Sequence, residues 1–577
     1  MRKIILKILT TLFIVSLLFT NLSGFSKVKA ISSESKIVNV SVDPRIELLS
    51  AVQLLSDYPL LTRSDFQYKR EMLNYFSPYK SHPAVTKFKE MSEEGFAYDA
   101  PPTAMLYLSD PPELKVVTPF TDYIIGRAGG RVDLESFIEA LRDFAIKSNF
   151  MEFFNAHKDF YAILIQGTKA NLDDYDIVGA LEDFYGISKN SYNIITSPLQ
   201  SNAYGPSIER EPSKYDIYSI MPGFQLWVVL HEFGHSFVNP ITAKYRDEVN
   251  KYSKLFEPVK EIMIKNAHGE WEICVNEHII QAVVAKVLEK LVGQQVLADV
   301  ILSDTVEGGY VYVRGIYELL NVYENNRDKY PTFEDFYPEI LNYFSEISKL
   351  PSLPMEMDFN FLPTEFTEKK VELTWRDTSD DEEGFKVYRK AIDDEEFKLI
   401  GTLKENTEHF EDTTIQPGKT CSYRVSSFNE NGENFAPEDV TVRVPVIVVV
   451  FQIGNKIMYV NDIPQEIDVL PQIIEGRTYL PVRWIAEPLG ATVDWDGYEK
   501  KVTVKLKETV IELWIDKNIA IVNGANTLID LGNPKVVPVI IPPGRTMLPI
   551  RFIAENLGCK VDWDPALKEV KITYPGS

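Results

Sequence analysis

Residues 224 to 240 read FQLWVVLHEFGHSFVNP, and the apolar residues flanking two histidines predict a buried helix around which the chain is organised. His231 and His235 are i,i+4, so their imidazoles stand one turn apart on one helical face, the spacing two ligands of a single Zn²⁺ require. Glu232 lies about 100° round the same helix. That offset keeps its carboxylate out of the ligand set but near an open metal position, where it can take a proton from a polarised water. Phe224, Leu226, Trp227, Val228, Val229 and Leu230 lead in, no charge other than Glu232 interrupts, and Asn239-Pro240 marks the predicted stop. The chain has seven histidines in 577 residues, so two on one turn of an apolar helix need a reason. The alternative is a pair of core histidines satisfied by hydrogen bonds, and burying polar rings without partners is costly.

A third protein ligand is required. In the extended pattern HExxHxxGxxH, positions 238 and 241 are Gly and His; here they are Val238 and Ile241, which excludes that class. The segment EWEICVNEHIIQAVVAKVLEKL (270 to 291) offers Glu277, with Ile273, Cys274, Ile280 and Val284 as helical-face neighbours. A carboxylate on an apolar face is costly unless paired or metal-bound. It can also be a solvated acid or half of a buried salt bridge. His278 and Glu272 are alternative ligands, and His268 sits in a predicted turn, KNAHGE.

The HEFGH helix followed by Asn276-Glu277 resembles the gluzincin zinc peptidases, whose third ligand is the Glu of an Asn-Glu motif. Thermolysin-like members carry an Asp four residues later that orients a zinc-bound His; this chain has Gln281, a weaker acceptor. Nothing upstream of residue 231 matches the GxMEN-like motif of the aminopeptidase branch, which points to internal cleavage. VDPRIELLS, HPAV, the HEFGH helix, GGYVY and DKYPTFEDFYPEIL, spread over residues 40 to 345, resemble a family of secreted bacterial proteins catalogued as a domain of unknown function with gluzincin-like character. In gluzincins an edge strand pairs with extended substrate, and a Tyr or His beyond the third ligand donates to the oxyanion. The resemblance therefore places peptide along SNAYGPS (201 to 207) and makes Tyr310 and Tyr312 the candidate donors, although residues of these types are also ordinary hairpin and core residues.

Residues 1 to 30 have a basic start (Arg2, Lys3, Lys7), an apolar run from Ile8 to Leu18 and beyond, and a small-residue exit at Val28-Lys29-Ala30. This predicts a secretory signal peptide cut after Ala30, the alternative being an uncleaved anchor. No later stretch has the roughly 20 apolar residues of a membrane span. Losing five basic residues takes the net charge from −24 to −29, which excludes nucleic acid as an expected partner. Cys274, Cys421 and Cys559 fall in separate predicted domains, so no disulfide framework is implied. Export without disulfides fits a bacterium that secretes without oxidative folding.

The predicted fold is multidomain. Residues 31 to 352 form an α+β, zincin-like domain in which YNIITSPLQS and DIYSIM read as strands just before the metal helix. The proline-punctuated LPSLPMEMDFNFLP from residue 350 marks a boundary. Residues 356 to 446 read as seven short strands, and Trp375, Gly384-Phe385 and SYRVSSFNENGE resemble an all-β fibronectin type III sandwich. Cys421 stands where that family usually has its corner tyrosine, so the hydrogen bond pinning the corner is expected to be missing. Residues 447 to 577 contain a repeat: 477 to 504 and 545 to 572 match at 16 of 28 positions. Upstream segments pair at an offset six residues shorter, which places an insertion within DLGNPKVVPVIIPPG of the second copy. This α+β stretch resembles the copper amine oxidase N-terminal (stalk) domain of exported bacterial proteins, but it has no histidine. A spacer, a surface contact or a glycan-binding module is what it implies, with the spacer preferred.

The expectation is a secreted, extracellular Zn²⁺-dependent metallopeptidase acting on peptide or protein. His231, His235 and Glu277 hold the metal, and Glu232 is the general base. Two other classes stay open: an exported surface-binding or adhesion protein that keeps a peptidase-like fold, and a zinc hydrolase of a cell-wall bond.

Overall fold

The computed structural model describes residues 37–293, 302, 308–361, 371–415 and 418–574. The predicted signal segment, 1 to 30, lies outside them. The chain divides into two compact units between Glu346 and Ile347, close to the predicted boundary. Among the described residues no helix is long and apolar enough to cross a membrane.

In the first unit, helices between residues 44 and 172 and residues from the 195–220 stretch build one large apolar core. The first of them, α1 (Pro44–Leu55), starts at a well-formed cap: Asp43 accepts the Arg45 N–H at 2.8 Å, and Pro44 fits the first turn. A four-stranded sheet carries the site. Its strands are β1 (Val38–Ser41), β2 (Ser191–Thr196), β3 (Ser207–Glu211) and β4 (Lys214–Met221), in the order β1-β2-β4-β3. β1, β2 and β4 are parallel, and β3 is the antiparallel outer strand. Both predicted strands before the metal helix are present as β2 and β4. A bridge between Tyr204 and Ile220 extends the outer strand back through the SNAYGPS stretch.

The chain leaves β4 into α2 (Leu226–Lys244), and α2 packs on α4 (Trp271–Val292). α4 is buried on nearly every face, as an apolar helix in a domain interior should be. The helices approach closely at Gly234, where an added Cβ would lie 3.1 Å from Ile280 Cγ2 and 3.4 Å from the Tyr185 hydroxyl. Tyr185 stacks on Phe237 with ring centroids 4.3 Å apart, fixing the other side of α2.

The predicted stop at Asn239-Pro240 does not end the helix; α2 runs on to Lys244. Pro240 has no N–H and leaves the Ser236 carbonyl without its helical donor. Lys189 reaches across and donates to that carbonyl at 2.7 Å, its ammonium 4.7 Å from the Phe237 ring centre. The missing bond is replaced from outside the helix, so the helix runs on through the proline. Burial pulls the Lys189 ammonium down to about 8.

In the second unit, two antiparallel sheets enclose a core of Val371, Leu373, Trp375, Phe385, Val387, Tyr423 and Val425 among others. One contains β5 (Met355–Phe361), β6 (Val371–Arg376) and β9 (His409–Asp412). The other contains β7 (Gly384–Ala391), β8 (Lys398–Lys404), β10 (Thr420–Asn429), β11 (Gly432–Phe435) and β12 (Val440–Arg443). The seven predicted strands are joined by an eighth, β5, in the proline-punctuated stretch read as a boundary; there MEMDFNF alternates well enough to pair with β6. Cys421 is buried and free. The corner is held at Asp412, which accepts the Tyr423 hydroxyl at 2.7 Å, Arg389 at 2.6 Å and the Thr414 N–H at 2.7 Å.

The two repeats interlock. β13 (Ile447–Gln452), which opens the first copy, pairs with the strand Glu569–Tyr574, which closes the second. The strand Arg477–Pro481 pairs with its own counterpart, Arg545–Pro549, in a register that sets Leu480 opposite Leu548. Charges cross in the same way: Arg477 donates to Asp530 at 2.5 Å and Arg545 to Asp468 at 2.6 Å. The added residues of the second copy lie between Asp530 and the strand Val539–Ile541, where the Val537 carbonyl accepts the Tyr479 hydroxyl at 3.0 Å.

Lys189→Met should destabilise the protein by about 1–3 kcal/mol, because it orphans the buried Ser236 carbonyl. Denaturant unfolding checks this, and an unchanged midpoint would show that the carbonyl finds another donor.

Candidate metal centre

α2 presents His231 and His235 toward α4, and α4 returns Glu277, which is 5% exposed. The two Nε2 atoms are 3.2 Å apart. Glu277 Oε2 lies 3.4 Å from His231 Nε2, and Oε1 lies 3.6 Å from His235 Nε2. Zinc with bonds of about 2.0–2.1 Å and tetrahedral angles needs donor atoms about 3.3–3.4 Å apart; the two imidazole nitrogens, and His231 with Oε2, stand close to that separation, and one donor atom from each of the three residues lies within 4.8 Å of the others. Among the described residues, this is the one group of three or more His, Cys, Asp or Glu whose donor atoms converge this way.

The electrostatics agree. Burial, then the neighbouring His235 and His268, hold His231 well below its ordinary value. Burial also lowers His235, against the pull of Asn239 and Asp99. Both rings are therefore neutral and can present lone pairs. Burial pushes Glu277 up to about 7, with His268 pulling the other way. Burial, then Glu277 and Asp99, push Glu232 up to about 8. Two buried carboxylates facing two neutral imidazoles form a donor set that a dication would satisfy.

Asn239 Oδ1 stands 3.4 Å from His235 Nδ1, where it can accept the ring proton and leave Nε2 bare. Sequence reasoning saw Asn239 only as a helix stop, although its i,i+4 spacing from His235 was in view. His231 Nδ1 is buried and has no hydrogen-bond partner among the described residues, so Gln281 does not provide the support considered for it.

The alternative ligands are directed elsewhere. Glu272 pairs with Arg246 at 2.6 Å. His278 is buried, with Nδ1 2.7 Å from the Cys274 carbonyl. Both oxyanion candidates have hydrogen-bonded hydroxyls. Tyr312 is buried and donates to the Leu255 carbonyl at 2.7 Å. Tyr310 lies 3.1 Å from His268 Nδ1. His268, read from sequence as part of a turn, stands 3.7 Å from Glu277 Oε1 through its Nε2. Its place follows from α3 (Lys260–Lys265), whose end at Asn266 and left-handed Ala267 (φ 66°) turns the chain toward α4.

The outer strand meets the site at Gly205. A Cβ there would fall 2.2 Å from the Glu232 carbonyl oxygen, so only glycine lets the strand cross the helix at this turn.

The family described as Domain of unknown function (DUF4932) matches residues 38–343, more than half of the chain. The Copper amine oxidase N-terminal domain family matches residues 437–497 and 459–572. No curated protein matches. Similar solved structures include a myokine structure (16% identity, 16% of this chain and 98% of that one, TM-score 0.15). A Fn3-like protein from Clostridium thermocellum is 18% identical over 16% of this chain and 94% of that one, with a TM-score of 0.14. The chicken CNTN1 FN1-FN3 domains are 12% identical over 28% of this chain and 61% of that one, with a TM-score of 0.15.

Metal analysis of purified protein should find one divalent cation per chain, lost in Glu277→Ala and kept in Glu272→Ala. Retention of the metal by Glu277→Ala would remove that carboxylate from the ligand set.

Proposed function

We propose that this chain, which belongs to the family described as Domain of unknown function (DUF4932), is a zinc-dependent metallopeptidase of gluzincin type that cleaves peptide bonds. The observation that carries the reading is the convergence of His231, His235 and Glu277 with Glu232 buried on the adjacent helix turn. Zn²⁺ in that donor set supplies a Lewis acid that polarises a carbonyl and makes a water acidic near neutral pH. Glu232 takes the water proton and returns it to the leaving amine. The raised affinity of Glu232 for a proton suits that work, since a base must hold the proton long enough to deliver it.

The route of the substrate follows from the outer strand. β3, extended back to Tyr204, is the last strand of its sheet, and Gly205 lies against the Glu232 turn. An extended peptide added to this edge runs past the metal ligands, with main-chain hydrogen bonds supplying affinity. In this reading the protein acts outside the cell after removal of residues 1 to 30, and the repeats act as a spacer or surface contact.

Glu232→Gln should keep the metal and lower hydrolysis of casein or a peptide library by about 10²-fold or more. A variant that cleaves as fast as the parent would overturn the assignment. A parent that binds zinc yet turns over nothing in a broad library would favour a binding role.

A further inference from the structure

A zinc ion with three protein ligands works as a hydrolase only if a further coordination position stays open. A glutamate threatens that position, because its second oxygen can also bind. Here the two oxygens of Glu277 have different surroundings. Oε2 faces His231 Nε2 at 3.4 Å. Oε1 faces His235 Nε2 at 3.6 Å and, from the opposite loop, His268 Nε2 at 3.7 Å.

The His268 ring has an orienting partner. The Tyr310 hydroxyl lies 3.1 Å from Nδ1, and a phenol donating there makes Nδ1 the acceptor and puts the ring proton on Nε2, the atom directed at Glu277. The two loops are locked together as well. Asn266 Nδ2 donates to the Gly308 carbonyl at 3.0 Å. Gly309 (φ 92°) has no room for a Cβ, which would lie 2.4 Å from Ile262 Cγ2. The His268 N–H donates to the Met263 carbonyl at 2.7 Å, with left-handed Ala267 just before it. Strain and cross-ties of this kind hold a side chain in place. His278, the other nearby imidazole among the described residues, is turned to the Cys274 carbonyl.

We propose that His268, oriented by Tyr310, is a positioning residue that engages Oε1 of Glu277 and so makes Glu277 a one-oxygen metal ligand through Oε2. The proposal rests on the metal centre described above. It assigns to the chain a device, built from the KNAHGE and GGY turns, that keeps a coordination position free.

The test uses the full chain with Co²⁺ in place of zinc, read by visible absorption alongside peptide turnover. The parent should bind one Co²⁺ with the strong bands of a four-coordinate site. His268→Leu should keep stoichiometric Co²⁺ with bands several-fold weaker as the second oxygen enters, and kcat should fall about 10–100-fold with KM little changed. His268→Gln, whose amide can donate from nearly the same place as Nε2, should restore both, and Tyr310→Phe should fall between. A His268→Leu spectrum identical to the parent's would overturn the proposal, whatever happens to kcat. Should that variant fail to fold by circular dichroism, an unchanged Tyr310→Phe spectrum overturns it instead. Failure of the parent to bind Co²⁺ would overturn the metal centre itself and this proposal with it. Parent-level turnover by Glu232→Gln would count against the peptidase reading alone.

Discussion

The first unit depends on the close contact of two buried helices at Gly234 and Ile280. That contact brings a carboxylate from α4 within 3.6 Å of both imidazoles of α2, with Glu277 buried and the two rings partly covered. In a low-dielectric interior the consequences are coupled. Imidazoles lose their protons readily, carboxylates hold theirs, and a set of lone pairs is left pointing at one space. The burial that would make this cluster a liability without a cation also makes it a good site for one.

Supporting parts come from far along the chain. Lys189, in the loop before β2, replaces the hydrogen bond that Pro240 removes, so α2 stays continuous beneath His235 and Asn239. Gly205 lets the outer strand cross at Glu232. Asp99 sits among the helices of the N-terminal region and adds negative potential to Glu232 and His235. Each acts through a different physical term: a main-chain acceptor satisfied, a steric gap, and a field.

The second unit follows another rule. In the repeats, neither copy forms its sheet alone, since β13 completes the sheet of the second copy and the two RTxLP strands pair with each other. In the sandwich, the buried Asp412 carboxylate gathers Arg389, Thr414 and Tyr423.

Spacing along one helix made His231, Glu232 and His235 legible, because helical periodicity is a property of sequence itself. The lone acid on an apolar face singled out Glu277 in the same way, and repetition exposed the two copies and the insertion within the second. Strand alternation gave seven of the eight sandwich strands, but prolines hid β5, which needs its partner β6 to be recognised. What sequence could not supply were contacts between segments with no shared period. The approach of His268 to Glu277, the burial of the Tyr312 hydroxyl against Leu255, the rescue of Pro240 by Lys189 and the exchange of strands between repeats belong to this group. Local pattern determined which residues could do chemistry, whereas tertiary packing decided which of them meet, because distance in space is fixed by helix and sheet contacts that a single segment does not encode.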